Sequence, residues 1–290
     1  MNSAEKPLFH SVAILGLGLM GGSLGLALRN LEAEVRVTGW SRNPVTRSKA
    51  LDMDAVDRAT DTPEQAVENA EIIVLAVPVE TILPLLERVR PSLKPNAIVT
   101  DVGSVKSRIV AGGEESIGGR FVGGHPMAGS EDSGIDSASV TLYHAAPWVF
   151  TPTAITDSDA LDACCQMACM VGAKTYAFDP ETHDRIVACY SHLPHILAYG
   201  LAQTAWDLAG EGATISAGSF RDGTRVAGSS PSLWTEILMD NRTATLRALE
   251  SFDKWAHSMK IALTKGDQKE IEELLFNAHQ AHREWKTTRS

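Results

Sequence analysis

Three stretches of this sequence group residue types that could do chemistry together. In Gly123-Gly124-His125-Pro126-Met127-Ala128-Gly129-Ser130-Glu131, a histidine is held between glycine and proline at the end of an apolar run. Its near-neutral reference pKa suits removal of a hydroxyl proton as hydride leaves the same carbon. In Asp101-Val102-Gly103-Ser104-Val105-Lys106-Ser107, Ser104 can hydrogen-bond a reacting oxygen or simply cap a following helix. Lys106 reads equally as a neutraliser of an anion and as a solvated loop lysine. The third stretch, Ser191-His192-Leu193-Pro194-His195, sets Ser191 and His195 on one helical face. Beyond it, Arg221 and Arg225 lie in an irregular segment before Trp234, where an arginine could grip a carboxylate through two parallel hydrogen bonds. Proton removal beside a carboxylate clamp is the chemistry these residues suggest.

Such groups must be placed by a scaffold. The first 180 or so residues alternate short β-branched runs with amphipathic stretches, the pattern of an α/β parallel sheet. The spacing predicts strands over Val12–Leu15, Val35–Trp40, Ile72–Val77, Ala97–Asp101, Phe121–Gly124, Trp148–Thr151 and Lys174–Phe178. Runs such as Ile72-Ile73-Val74-Leu75-Ala76-Val77 suit strands covered on both faces. Both the Ser104 and His125 segments then fall where strands end, the edge at which such sheets bind ligands.

The first strand leads into Gly16-Leu17-Gly18-Leu19-Met20-Gly21 and a helix to about Leu31. A glycine triplet alone is weak, but between a strand and a helix it is the dinucleotide fingerprint of a Rossmann-like, doubly wound sheet. Gly16 permits the turn, Gly18 lets backbone approach a pyrophosphate, and Gly21 lets the helix pack closely. The amides around Leu19 and Met20 at the helix start favour the anion. After the second strand, an NAD site usually carries an acidic residue for the ribose 2′-hydroxyl. Here Ser41 and Arg42 stand instead, so NADP is expected in preference to NAD.

After Asp179-Pro180 the pattern turns helical, which places a domain boundary there: residues 1–179 for the dinucleotide domain and 180–290 for an all-helical one. Leu246, Leu249, Phe252, Trp255, Met259 and Leu263 recur at three- to four-residue spacing and read as a core-facing stripe. The chain has 290 residues with 26 Lys+Arg against 36 Asp+Glu, a formal charge of −10 that disfavours general nucleic-acid or anionic-membrane binding. Cys164, Cys165, Cys169 and Cys189 lack disulfide-framework or zinc spacing and read as packed thiols, with no metal site expected. Pro78, Glu80 and Pro84 break the most apolar stretch, and no basic leader precedes an apolar run, so a cytoplasmic protein is expected.

Taken together and in order, these motifs resemble the prephenate/arogenate dehydrogenase family of tyrosine biosynthesis. The resemblance rests on Gly16–Gly21, Asp101–Lys106, Gly124–Gly129, Glu131, His183-Asp184-Arg185, Ser191–His195, Arg225 and Trp234. It implies a C-terminal helical domain that forms a homodimer, and oxidation of prephenate or arogenate with loss of CO₂. Prephenate stands slightly ahead of arogenate. The resemblance implies that His125 accepts the ring-hydroxyl proton and that Ser104 binds near that hydroxyl and orients His125. Arg225 would clamp a substrate carboxylate, Ser191, His192 and His195 would complete the pocket, and Glu131 and Trp234 would lie behind or gate it. His183 and Asp184 read as structural. A β-hydroxyacid dehydrogenase is the rival of similar layout. It relies on a lysine in the second domain's first helix, and none occurs between Lys174 and Lys254. The length is filled by these two domains, so a monofunctional enzyme is expected.

Overall fold

The computed structural model describes residues 8–31, 34–129 and 132–288. The expected substrate contact Glu131 lies outside the described residues. The chain forms two compact units, one ending at Asn241 and one beginning at Arg242.

The first unit is built on eight strands: β1 (Ser11–Leu15), β2 (Arg36–Trp40), β3 (Arg58–Ala59), β4 (Ile72–Leu75), β5 (Ile98–Asp101), β6 (Phe121–Pro126), β7 (Pro147–Thr151) and β8 (Lys174–Ala177). Their order is β3-β2-β1-β4-β5-β6-β7-β8, with β6 and β7 antiparallel and every other neighbouring pair parallel. The first six strands follow the 3-2-1-4-5-6 order of a doubly wound dinucleotide fold. All seven expected strands occur, with shifted ends. The additional β3 has two residues and no apolar run, so nothing in the sequence marks it.

The connecting helices are α1 (Leu19–Arg29), α2 (Pro44–Asp52), α3 (Pro63–Val67), α4 (Val79–Val89), α5 (Ser107–Ile117) and α6 (Ser158–Met170). Side chains along a strand alternate between faces. Val12 and Ile14 of β1 accordingly join one apolar cluster with α1 and α6, while Ala13 and Leu15 join another with α4 and α5. All four side chains of β4 are fully buried, each contributing about 1.5–3 kcal/mol of burial free energy.

The carboxyl edge opens between β5 and β6. These strands pair only at Val99 with Phe121 and Thr100 with Val122. Beyond that point the Asp101 carboxylate bridges them. Its Oδ1 accepts from Gly124 N–H at 3.1 Å, while Oδ2 accepts from Gly103 N–H at 2.8 Å and pairs with Lys106 Nζ. Both Asp101 and Lys106 are fully buried. Lys106 is therefore neither a ligand-facing cation nor a solvated one, because its charge is taken up by Asp101. Residues 132–146 then cross α1, with Tyr143 Oη donating to the Met20 carbonyl at 2.7 Å and Ser139 N–H donating to Ser23 Oγ at 2.9 Å.

After β8, the described residues contain only helices, turns and loops. In α7 (Pro180–Val187), Asp179 caps the N-terminus by accepting from Thr182 N–H at 2.9 Å, and Pro180 opens the first turn. The helix widens into a π-turn at Ala188–His192 and continues as α8 (Leu193–Ala209). Pro194 has no N–H to offer an α-helical bond, and Leu193 N–H reaches back five residues to Ala188 O. The short α9 (Gly218–Thr224) and α10 (Pro231–Asp240) complete the unit.

In the second unit, α11 (Arg242–Lys265) and α12 (Gln268–Thr287) form a hairpin turning at Gly266, whose φ is +66°. The stripe on α11 read as core is largely open in the single chain: Leu246, Trp255 and Leu263 are exposed. Two helices bury only the faces turned toward each other, which leaves part of an apolar stripe uncovered. Cys164 is buried, but Cys169 and Cys189 are exposed, so the packed-thiol reading fails for those two, which face outward. Among the described residues, no His/Cys/Asp/Glu cluster could hold a metal, and no helix is long and apolar enough to cross a membrane.

Candidate active site

Two features occupy the carboxyl edge of the sheet. The first is made of backbone. Gly16 sits at φ +109°, and a Cβ there would lie 2.1 Å from Ala76 O. A Cβ on Gly21 would lie 1.8 Å from Gly16 O, so helix and turn touch directly. A Cβ on Gly18 would meet nothing within 4 Å, which leaves this side of the loop open. No side chain caps α1, and its first turn contains no acidic residue. Free amides beside an open backbone surface suit a pyrophosphate, so the residues present fit a dinucleotide.

At the end of β2, Arg42 is exposed and makes no hydrogen bond or ion pair among the described residues, and Ser41 beside it is partly buried. The Asn43 side chain is used locally, accepting from Val45 N–H at 2.9 Å to cap α2. Arg47, which stands in no motif, donates to the Ser41 carbonyl and to Asp61, each at 2.9 Å. The corner is thus basic and holds its shape through an arginine one helical turn into α2.

The second feature is a cavity of about 540 Å³ lined by side chains. Ser104, His125, Ser191, His192, His195, Arg225 and Trp234 all line it. Every expected catalytic or substrate-binding residue that the structure describes therefore meets in one place. Arg221 is not among the lining residues and pairs with Asp222 at 3.4 Å. Asp132 does line the cavity, although no motif drew attention to it.

Aromatic packing and hydrogen bonds fix the walls. Trp234 stacks on His195 at 3.5 Å between ring centroids and meets His192 edge-on at 5.9 Å. His195 Nδ1 donates to the Ser191 carbonyl at 2.9 Å. Tyr199 Oη donates to Ser229 O at 2.7 Å, tying α8 to the segment that carries Arg225. Asn241 Nδ2 donates to Asp184 O at 2.8 Å and contacts His192 Nδ1 at 3.2 Å. Since the Asp184 carbonyl needs a donor, the amide nitrogen faces both groups. His192 Nδ1 then accepts, and its Nε2 carries the proton. Burial pushes the His192 pKa down to about 4, so it is a neutral donor near pH 7.

His125 differs from the expected arrangement. No hydrogen bond joins it to Ser104 among the described residues. Its Nδ1 lies 2.8 Å from His183 Nε2, and His183 Nδ1 lies 2.9 Å from Asp184 Oδ1. Ser104 belongs to the loop before α5, whereas His183 approaches from α7 directly behind the ring. Asp184 also accepts from the backbone N–H groups of Lys106 and Ser107, both at 2.8 Å, and so caps α5. Burial, followed by the nearby His183, Lys106 and His192, holds the His125 pKa well below the ordinary histidine value. Burial pushes the Asp184 pKa up, but its hydrogen bonds outweigh this and hold it below the usual carboxylate range. His183 and Asp184, expected from the sequence to be structural, thus form a hydrogen-bonded chain to His125. The run of polar residues His183-Asp184-Arg185 just after the helix start is the signal the sequence offers.

A doubly wound sheet, an open glycine loop and a half-buried histidine at the same edge define a dinucleotide-dependent dehydrogenase. Residues 24–177 match the family profile described as prephenate dehydrogenase, nucleotide-binding domain, and residues 179–277 match the profile of its dimerization domain. The chain is 33% identical over 273 residues to the prephenate dehydrogenase of Bacillus subtilis, covering 91% of this chain and 72% of that one. It is similar in structure to the arogenate dehydrogenase of Synechocystis, with TM-score 0.83, 34% identity and coverage of 95% and 99%. It is also similar to the prephenate dehydrogenase of A. aeolicus in complex with hydroxyphenyl propionate and NAD+, with TM-score 0.88, 32% identity and coverage of 95% and 98%. The chain belongs to the prephenate dehydrogenase family.

Proposed function

We propose that this protein catalyses oxidative decarboxylation of prephenate or arogenate, with His125 as the proton acceptor. The observation that carries the reading is a neutral, back-bonded histidine sharing one cavity with Arg225 at the sheet edge that bears the glycine loop. A nicotinamide cofactor, when bound, supplies the hydride acceptor. Gly16, Gly18, Leu19, Met20 and Gly21 would hold its pyrophosphate through backbone.

His125 takes the ring-hydroxyl proton on Nε2 while the oxygen's electron pair forms the carbonyl. Ser104 hydrogen-bonds the same oxygen. Loss of CO₂ then leaves its bonding electron pair in the ring, the oxygen takes its proton back from His125 and the ring becomes aromatic, so the overall step runs one way. Arg225 grips a substrate carboxylate, while His192 Nε2–H and Ser191 donate to its oxygens, and His195 with Trp234 forms an aromatic wall.

NADP is the proposed cofactor. Arg42 is free to meet a 2′-phosphate, Ser41 adds a hydroxyl, Asn43 is engaged in capping α2, and the nearby Asp61 carboxylate is paired with Arg47. Prephenate is the first substrate choice, since Ser191, His192 and Arg225 offer donors to a side chain whose keto and carboxylate oxygens only accept. Asp132 in the cavity lining favours arogenate as the second reading, because it could face an ammonium. A homodimer is proposed through the helical segment, supported by the dimerization profile and by exposed Trp206, Leu208, Ile215, Leu263 and Phe276.

The test is a two-by-two assay of reduced-nicotinamide absorbance, both substrates with both cofactors. The expected result is the fastest rise with prephenate and NADP. No rise in any of the four combinations would overturn the enzyme reading.

A further inference from the structure

The chemistry of His125 requires more than a histidine in a cavity. An imidazole carries its single neutral proton on either nitrogen, and only the form with a bare Nε2 can accept a proton from the cavity side. Among the described residues, no group of the cavity wall bonds the His125 ring to select that form. The groups behind the ring do. Asp184 is held as a carboxylate by three donors: the N–H groups of Lys106 and Ser107 and the ring of His183. A carboxylate only accepts, so His183 Nδ1, at 2.9 Å, must carry a proton. Burial pushes the His183 pKa down, which leaves the ring neutral with a bare Nε2. That nitrogen lies 2.8 Å from His125 Nδ1 and must in turn receive a proton. His125 therefore carries hydrogen on Nδ1, and Nε2 is bare.

We propose that Asp184 and His183 form a two-link relay that fixes the tautomer and orientation of His125 and steadies its imidazolium. The proposal rests on the reading of His125 as the base. When Nε2 gains the hydroxyl proton, the positive ring donates a stronger hydrogen bond from Nδ1 to His183 Nε2, and the far end of the chain is an anion. No proton need leave Nδ1, so the step balances with one bond formed at Nε2 and one broken at the hydroxyl. The same logic operates where an aspartate fixes a catalytic histidine, here lengthened by one imidazole. The charged and titratable groups facing this pair are Lys106, itself neutralised by Asp101, together with His192 and Asp184. His183 and Asp184 do not line the cavity, so they are positioning residues.

Two substitutions separate a relay from simple packing. His183→Gln keeps an oxygen that can accept from His125 Nδ1 and an amide that can donate to Asp184. His183→Phe keeps the ring and removes both bonds. The relay predicts that kcat falls in the order wild type, Gln, Phe, with Phe lower than wild type by on the order of 10²-fold and KM changed by less than about threefold. A packing role predicts that Phe matches or exceeds Gln. The second readout needs no turnover: nitrogen-15 NMR of histidine-labelled protein, assigned with His125→Asn. Wild type should show His125 with protonated Nδ1 and bare Nε2, and His183→Phe should show a mixture of tautomers. A protonated Nε2 on wild-type His125 would overturn the proposal, as would wild-type kcat in His183→Phe, and the wild-type spectrum decides even if that variant fails to fold. Wild-type turnover in His125→Asn would instead overturn the base reading, while the spectrum would still test the relay's hydrogen bonds.

Discussion

The glycine loop and the histidine cavity lie at the same sheet edge but are made in opposite ways. The loop works through side chains it lacks: Gly16 and Gly21 touch neighbouring backbone, and Gly18 leaves a surface open. The cavity works through side chains whose protons are directed by partners far away in sequence, His183 behind His125 and Asn241 behind His192. One site admits no added atom at Gly16 or Gly21, whereas the other depends on the direction of each hydrogen bond behind its rings. A binding surface for a polyanion can be built from amides that any chain possesses. A proton acceptor cannot, because its tautomer must be chosen by something.

The sharpest way to break this contrast is at His125. His125→Asn should lower kcat by about 10²–10⁴-fold with cofactor affinity unchanged, measured by steady-state kinetics and nucleotide titration. Next, Arg225→Gln should raise the substrate KM by about 10–100-fold with a smaller effect on kcat, as expected for loss of a charge-assisted pair. An unchanged KM would remove Arg225 from the carboxylate site.

On the loop side, two alanines test whether openness and contact are distinct. Gly21→Ala forces a Cβ against Gly16 O and should cost about 1–3 kcal/mol of stability, read from denaturant melts. Gly18→Ala meets no neighbour, so stability should hold while cofactor Kd rises on the order of tenfold. Equal destabilisation by both would mean that the loop is packed rather than open.

The smallest effect expected is a pH response that is nearly flat. With the His125 pKa held well below its ordinary value, the base is already unprotonated at neutral pH, so kcat/KM should change by less than about twofold between pH 8 and 6.5. Activity is lost as pH falls through the depressed pKa, because protonation occupies Nε2. Folding stability follows the same sign. His192, His183 and His195 are all depressed by burial, so the unfolded chain binds more protons below about pH 6.5. The melting temperature should therefore decline on acidification from there toward the His192 value of about 4. A flat melting temperature over that window would show these rings to be solvated.

Much of this was legible in the sequence, for physical reasons that differ by element. The strands of the sheet are visible because burial on both faces demands uninterrupted β-branched runs, as in Ile72–Leu75. The two-residue β3 is invisible because it buries little and takes its register from β2. Ser104, His125, Ser191, His192, His195, Arg225 and Trp234 could be named before folding because each stands in a local motif. The state of Lys106 is hidden in the sequence because its partner Asp101 lies five residues back across a turn, and spacing does not reveal that both are buried. The burial of the α11 stripe was misjudged because periodicity shows which face is apolar but not what covers it. Asn241 left no sequence signal at all, since a single asparagine at a helix end is ordinary.

The two bonds from Asp184 to the amides of Lys106 and Ser107 span a separation of more than seventy residues. Closing such a loop is slow and entropically costly, so the start of α5 acquires its cap only after β8 has joined the sheet and α7 has docked. During synthesis, a nascent chain ending near residue 179 would already contain the strand bearing His125, but not the groups that direct its proton. Catalytic competence is thus a late reporter of folding, and recovery of turnover on refolding should lag behind recovery of sheet signal.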